Sequence, residues 1–479
     1  MGANIKNNSI FNFIKTFSQF IFPLITFPYI SRVLGAESIG KYNFSNSVVS
    51  YVSMIATLGI SSYAVRECSK VKQNRTEYEK TASEIFSINI ITTVIAYIIL
   101  FLLLSFSESL HSYNKLIIIL STTIIFNTFG AEWINNVHED FKFITIRSIS
   151  FQILAFVLML LFVRNQSDYI NYAWISLLST SGANLINVFY RRKYGKIRFT
   201  FNINLKVHFK PIVYLFAIYI SQQIYVNSDI TILGLYKGDT AVGIYSTSVK
   251  IYNIVNAMIC SICMVVIPQI SYLFEKKEYN SISKLFNYAL NFIVVLGLPA
   301  ITGINMLCPE IISCLAGNEY LAATSSLHIL TIALIFSLLG GLIGNVTIIP
   351  AGREKICFFQ GIVAATINIL FNMVLIPSFG INAAASTTAI AEGVSFVILA
   401  INFDKRIRIK SSKKILFGPL LGSLLIICVI LITRYLIHNS ILVILVSVTM
   451  SMIIYLIVQI LVKNEFVYEF LKIERNKIG

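Results

Sequence analysis

Uninterrupted apolar runs about 20 residues long, of which IITTVIAYIILFLLLSF at 90–106 is typical, return along the whole chain. Each is long enough to cross roughly 30 Å of hydrocarbon. Backbone amides in lipid must be satisfied inside a helix or around a closed barrel, and a barrel strand alternates polar with apolar residues. No such alternation is present in these runs, so the chain is expected to be an all-α integral membrane bundle. Composition agrees, with 56% hydrophobic and 13% charged residues, where a soluble domain carries roughly 25% charge.

Fourteen spans are predicted, at 11–30, 43–65, 84–105, 115–135, 144–163, 169–190, 211–233, 242–267, 285–306, 324–349, 356–376, 382–403, 415–437 and 441–462. With both termini on the cytoplasmic side, 29 of the 38 Lys and Arg fall in inside segments, five in outside loops and four within spans. That is the bias that orients membrane helices, and it accounts for most of the net charge of +16 without a nucleic-acid partner. RRKYGKIRF and DKRIRIKSSKK, the heaviest basic loops, read as topology anchors or as contacts to anionic lipid. The first run is not expected to be a cleaved signal, because Lys15 interrupts it and no A-x-A-like site follows. All loops are short, of the length of connections rather than domains.

A phrase repeats. Sliding the chain by 203 residues sets Gly35 on Gly238, Ile39 on Val242, Gly40 on Gly243, Tyr42 on Tyr245 and Ser45 on Ser248. Each copy sits in the first outside loop of its half and leads into an apolar helix. Six spans separate the copies, so the halves share one orientation, the parallel repeat of transporters that alternate between two openings.

Ionisable groups at bilayer depth cost roughly 2.5–3.5 kcal/mol on insertion scales and need a partner or a wet cavity. Lys15, Arg147 and Lys250 lie in spans, and Arg32 ends the first one. Lining a cavity, they suit an anion such as a diphosphate; the structural alternative is snorkelling or pairing with a carboxylate. Arg434 reads as an anchor near the end of its span. The acids are Glu84, Glu132, Asp229 and Glu392. Glu132 and Asp229 are expected near the outer face, balancing Arg32 or Lys250 as structural pairs, with proton or sodium coupling as the sharper alternative. Ser221, Gln222, Gln223, Asn227 and Ser228 form a polar run that reads as cavity lining or interhelical bonding. Pro23, Pro28 and Pro299 are hinge candidates, since each removes a backbone donor. No Walker, H-E-x-x-H or nucleophile-elbow motif is present. No catalytic residue, metal site or cofactor is expected.

FPYISRVLGAESIGKYNFSNSVVSYVSMIATLGISSYAVRE, SDITILGLYKGDTAVGIYSTSVKIYNI with VVIPQISYLFEK, and LIPSFGINAAASTTAIAEG resemble the polysaccharide-transport branch of the multidrug/oligosaccharidyl-lipid/polysaccharide exporter superfamily, in particular Wzx-type O-antigen flippases. The resemblance implies two six-helix lobes, 1–205 and 206–408, with 409–479 adding two helices that help make a lipid-tail groove. It implies a cargo, an oligosaccharide on undecaprenyl diphosphate, moved from the cytoplasmic to the outer face of the bacterial inner membrane. Membrane lipids and the polysaccharide polymerase and chain-length machinery are the partners it suggests. The family's charged cavity carries over loosely to Lys15, Arg32, Arg147 and Lys250, and Glu132-Trp133 stands where relatives have an acidic-aromatic phrase. Lipid II flippases and multidrug or metabolite antiporters of the same superfamily are the rival readings. A polytopic polymerase or ligase would show a long catalytic outer loop, and CPEIISCLAGNEYLAAT is short and poor in charge.

Overall fold

The computed structural model describes residues 2–409 and 412–470, apart from the side chains at 2–9, 13, 20, 217–219, 221, 222, 412–414, 465, 469 and 470. The side chains of Ser221 and Gln222 in the polar run thus lie outside the described residues. Regular structure among the described residues is helical throughout. In order it comprises α1 (Gly2–Thr57), α2 (Ile60–Val71), α3 (Arg75–Phe106), α4 (Asn114–Gly130), α5 (Trp133–Val137), α6 (Phe141–Phe162), α7 (Tyr169–Leu177), α8 (Ala183–Tyr190) and α9 (Leu205–Lys237). There follow α10 (Asp239–Glu275), α11 (Tyr279–Met306), α12 (Cys308–Leu315), α13 (Ala323–Ile343), α14 (Glu354–Phe379), α15 (Ile381–Ile401), α16 (Ser412–Leu436), α17 (Ser440–Leu461) and α18 (Glu465–Phe470).

Eleven stretches among the described residues are long and apolar enough to span a membrane. The first runs from Ile10 to Val71 but is broken at Gly35, whose backbone (φ 72°, ψ 172°) is not helical. Gly238 holds nearly the same conformation (φ 80°, ψ −178°) between α9 and α10. A side chain is scarcely tolerated there, so the two glycines that the 203-residue shift superposes make the same turn. Dividing the first stretch at Gly35 and adding α9 and the α7–α8 pair is compatible with fourteen spans.

Several predicted spans differ in detail, among them the following two. Span 43–65 stops early, because Leu58 and Gly59 take left-handed conformations and α2 then runs with Tyr63, Ala64 and Cys68 buried and Arg66 and Lys70 exposed. Span 169–190 is interrupted by a π-turn at Leu178–Gly182, where Gly182 lies against the Phe151 ring.

Packing divides the chain into two compact units, residues 1–243 and 244–479. In the first, α1 packs along α3, α4, α6 and α9, and one end is filled by Tyr63, Tyr78, Ile85, Phe86, Trp133 and Ile212. In the second, α15 packs between α13 and α14, and α16 lies along α17 and α11. Gly340 and Gly344 of the GGLIG phrase meet Leu399 on α15, the close approach that small residues give membrane helices.

Candidate functional site

The densest charge within the spans is built where α4 ends. Gly130 closes α4 and Ala131 turns left-handed (φ 47°), so Glu132 sits in the break before the five-residue α5. Asp140 then caps α6, accepting from the Phe143 amide at 3.4 Å, and Arg147 projects from the second turn of α6. Lys15 Nζ donates to Glu132 Oε1 at 2.6 Å, and Arg147 Nη2 donates to Glu132 Oε2 at 2.6 Å. One carboxylate thus bridges two cations and leaves a net positive charge. The Arg147 side chain is 2% exposed, against 19% for Lys15 and 29% for Glu132. Its Nε and Nη1 are buried with no hydrogen-bond partner among the described residues, and the guanidinium faces the Phe143 ring at 5.4 Å. A buried donor left unsatisfied costs roughly 1–3 kcal/mol, more when charged.

The partners of Glu132 differ from the expected ones. Glu132 lies at the end of α4 opposite the Lys115 turn, bonded to Lys15 and Arg147 rather than balancing Arg32 or Lys250.

The remaining candidates are dispersed. Arg32 is exposed on α1 and donates to the Pro28 carbonyl at 2.8 Å. Asp229 is buried on α9, close in sequence to Thr231, whose hydroxyl meets Ser47 at 2.9 Å and Tyr51 at 3.2 Å. In the second unit Lys250 lies part-buried on α10, and the Tyr252 hydroxyl donates to Glu392 Oε1 at 3.4 Å. Pro23 and Pro28 lie inside α1, which stays helical through both and breaks at Gly35 instead. Pro299 lies inside α11. Arg434 grips Glu310 with Nε and Nη2, both at 2.8 Å, and donates to the Met306 carbonyl.

The second unit also holds an apolar cavity of about 500 Å³ between α11, α16, α17 and α18, lined among others by Pro299, Gly303, Ile426, Ser451, Tyr455 and Gln459. That volume is in the range of small-molecule sites. Gln459 is 1% exposed, and neither its amide oxygen nor its nitrogen has a partner among the described residues.

Two polar groupings escaped the sequence reading. Tyr63 OH is hydrogen-bonded to His208 Nδ1 at 2.7 Å, and His208 Nε2 to Glu84 Oε2 at 3.0 Å. All three are buried, and the Asn204 amide donates to the same Glu84 oxygen. Beyond the end of α5, Asp140 accepts from Tyr190, Tyr194 and Lys193 at 2.5–2.8 Å. Burial works against the Asp140 carboxylate, but those three donors outweigh it and hold its pKa at about 2. His138 stacks on Tyr194 at 4.2 Å, and burial, reinforced by Lys72 and Lys193, pushes its pKa down to about 4. The visible signal was a His or Asp set near tyrosines at the ends of apolar runs.

Residues 5–274 match the family profile described as polysaccharide biosynthesis protein. A protein named for O-antigen transport in Escherichia coli (strain K12) is 24% identical over 56% of this chain and 65% of its own length. The capsular polysaccharide biosynthesis protein CapF of Staphylococcus aureus is 23% identical over 83% of this chain and 98% of its own. Among solved structures, the lipid II flippase MurJ in an inward closed conformation superposes with a TM-score of 0.78 at 18% identity, over 97% of this chain and 99% of that one. An inward-facing multidrug resistance transporter of the MOP superfamily superposes with a TM-score of 0.64 at 13% identity, over 80% and 93%. At these identities the two structures speak to the fold.

Proposed function

The chain belongs to the polysaccharide biosynthesis protein family, and from that premise we propose that it is a flippase that carries an oligosaccharide on an undecaprenyl diphosphate across the bacterial inner membrane. The cargo is a polysaccharide repeat unit of the O-antigen kind, taken up at the cytoplasmic face and released at the outer face by alternating access. The observation that supports this most is the surplus of positive charge at Glu132, with two buried Arg147 nitrogens unpartnered among the described residues. A diphosphate cannot enter hydrocarbon unaided, and a guanidinium with donors to spare replaces its hydration. The apolar cavity between α11, α16 and α17 suits the lipid portion of such a cargo.

The membrane potential supplies a direction. With a negative cytoplasm, each negative charge moved outward is favoured by roughly 2.3 kcal/mol per 100 mV. Return of the empty, cationic carrier is where a proton or sodium ion would be coupled, with Glu132, Asp229 and Glu392 as the acids available.

The test is export of a lipid-linked oligosaccharide in cells lacking their own flippase, comparing wild type with Arg147→Ala and Lys250→Ala at matched membrane levels. Restored surface glycan with wild type, and cytoplasmic-face accumulation with both variants, supports the function and its cationic site together. Normal export by both variants removes the site assignment. Failure of wild type with several cognate sugar pathways overturns the flippase reading in favour of antiport.

A further inference from the structure

The segment joining α8 to α9 is extended over 195–200 and runs along the start of α3. The amides of Lys196, Arg198 and Thr200 donate to Glu79 Oε1, Ser83 Oγ and Ser87 Oγ at 3.0, 3.2 and 2.8 Å. Alternate amides of an extended chain point the same way, and two of its residues advance about 6.6 Å. Acceptors four apart on a helix share a face and advance about 6.0 Å. The two repeats nearly match, so the strand is laced to one helical face in parallel register.

That face continues as Ile91, Ile95, Ile98 and Leu102, which are 39%, 46%, 54% and 46% exposed in the apolar part of α3. The laced strand therefore runs along α3 toward its exposed apolar stripe. At the end of the laced stretch stand Phe199 and Phe201, 41% and 89% exposed, with rings 4.8 Å apart in an edge-to-face pair. The chain then turns back. The Ile203 amide donates to the Phe201 carbonyl at 3.0 Å and the Asn204 amide to Glu84 at 3.0 Å, while Ile197 and Ile203 pack on the buried cluster. Exposed Lys196, Arg198, Lys206 and Lys210 flank the tip. Non-helical backbone at the hydrocarbon edge requires its amides to be satisfied by protein, and the α3 side chains supply that.

We propose that residues 195–210 form a membrane wedge: Phe199 and Phe201 enter the hydrocarbon edge of one leaflet, and Lys196, Arg198, Lys206 and Lys210 hold anionic lipid headgroups around it. Aromatic rings favour this boundary, and basic residues beside it attract anionic lipid at about 1 kcal/mol each. The occupant is the leaflet itself.

The test uses the full chain in lipid nanodiscs. Phe201→Trp, read against wild type with its own Trp133 and Trp174, adds emission that lipids brominated near the headgroup end of the acyl chain quench and aqueous iodide does not. Quenching by iodide instead overturns the insertion. Replacing Lys196, Arg198, Lys206 and Lys210 with Gln should lower retention of phosphatidylglycerol relative to phosphatidylcholine, counted by native mass spectrometry, by about fivefold for each charge removed. Unchanged retention overturns the headgroup contact. These substitutions are at exposed positions, and neither readout depends on transport.

Discussion

Gly40 lies so close to the carbonyl oxygen of Asp239 that a Cβ on the glycine would occupy the oxygen's place. Gly243 stands in the same relation to the carbonyl of Ala36. The 203-residue shift carries Gly40 onto Gly243 and Ala36 onto Asp239, so the two contacts exchange partners as a two-fold axis would require. All four residues belong to the first compact unit. The Gly-rich phrase therefore does more than turn the chain: each copy provides the bare backbone on which the other rests.

Gly40→Ala and Gly243→Ala should each destabilise the protein, by about 1–3 kcal/mol if the helices part enough to admit the methyl. The matched control is Gly303→Ala, where a Cβ meets nothing within 4 Å. Thermal unfolding in detergent should show lowered midpoints for the first two and little change for the third.

Glu132→Gln should be among the most damaging single changes near α4, because it leaves two cations uncompensated. Breaking a buried ion pair from one side costs roughly 3–5 kcal/mol. Adding Arg147→Gln to Glu132→Gln should recover much of that loss, whereas Lys15→Met alone should cost less, Lys15 being more exposed. A double-mutant cycle on the unfolding midpoint gives the coupling directly.

Stability should decline on mild acidification through His138. His138 has a folded-state pKa of about 4 against an ordinary 6.5, so its contribution is complete above pH 6.5 and is lost as pH falls toward 4. Asp140, held at about 2 against 3.8, adds its own loss only below about pH 4. Unfolding midpoints between pH 7 and 4.5 should fall more steeply in wild type than in His138→Phe.

Gly303→Leu should fill part of the cavity beside α16 and α17 without disturbing the Lys15–Glu132–Arg147 bridge. Export of lipid-linked glycan should drop while the unfolding midpoint holds. Co-purifying lipid, counted by native mass spectrometry, should fall with it.

The spans and the repeat were readable because hydropathy is local and the Gly35 and Gly238 phrases are short. Charge pairing was not, since Lys15 and Glu132 are 117 residues apart and only packing brings α1 to the end of α4. Helix interruptions at Leu58–Gly59 and at 178–182 left hydropathy unchanged and so gave no sign of themselves. His208 escaped for another reason. It lies before the apolar run of α9, where a lone histidine looks like loop, and its importance comes from Tyr63 and Glu84 on other helices.

The lacing of 196–200 to α3 sets a rule for chain length. Inserting one residue between Lys196 and Arg198 turns the amides beyond it away from Ser83 and Ser87, whereas inserting two moves the strand by one helical turn and restores the facing. Length changes in this connection are thus tolerated in even steps and resisted in odd ones, a parity that few loops impose on their own insertions and deletions.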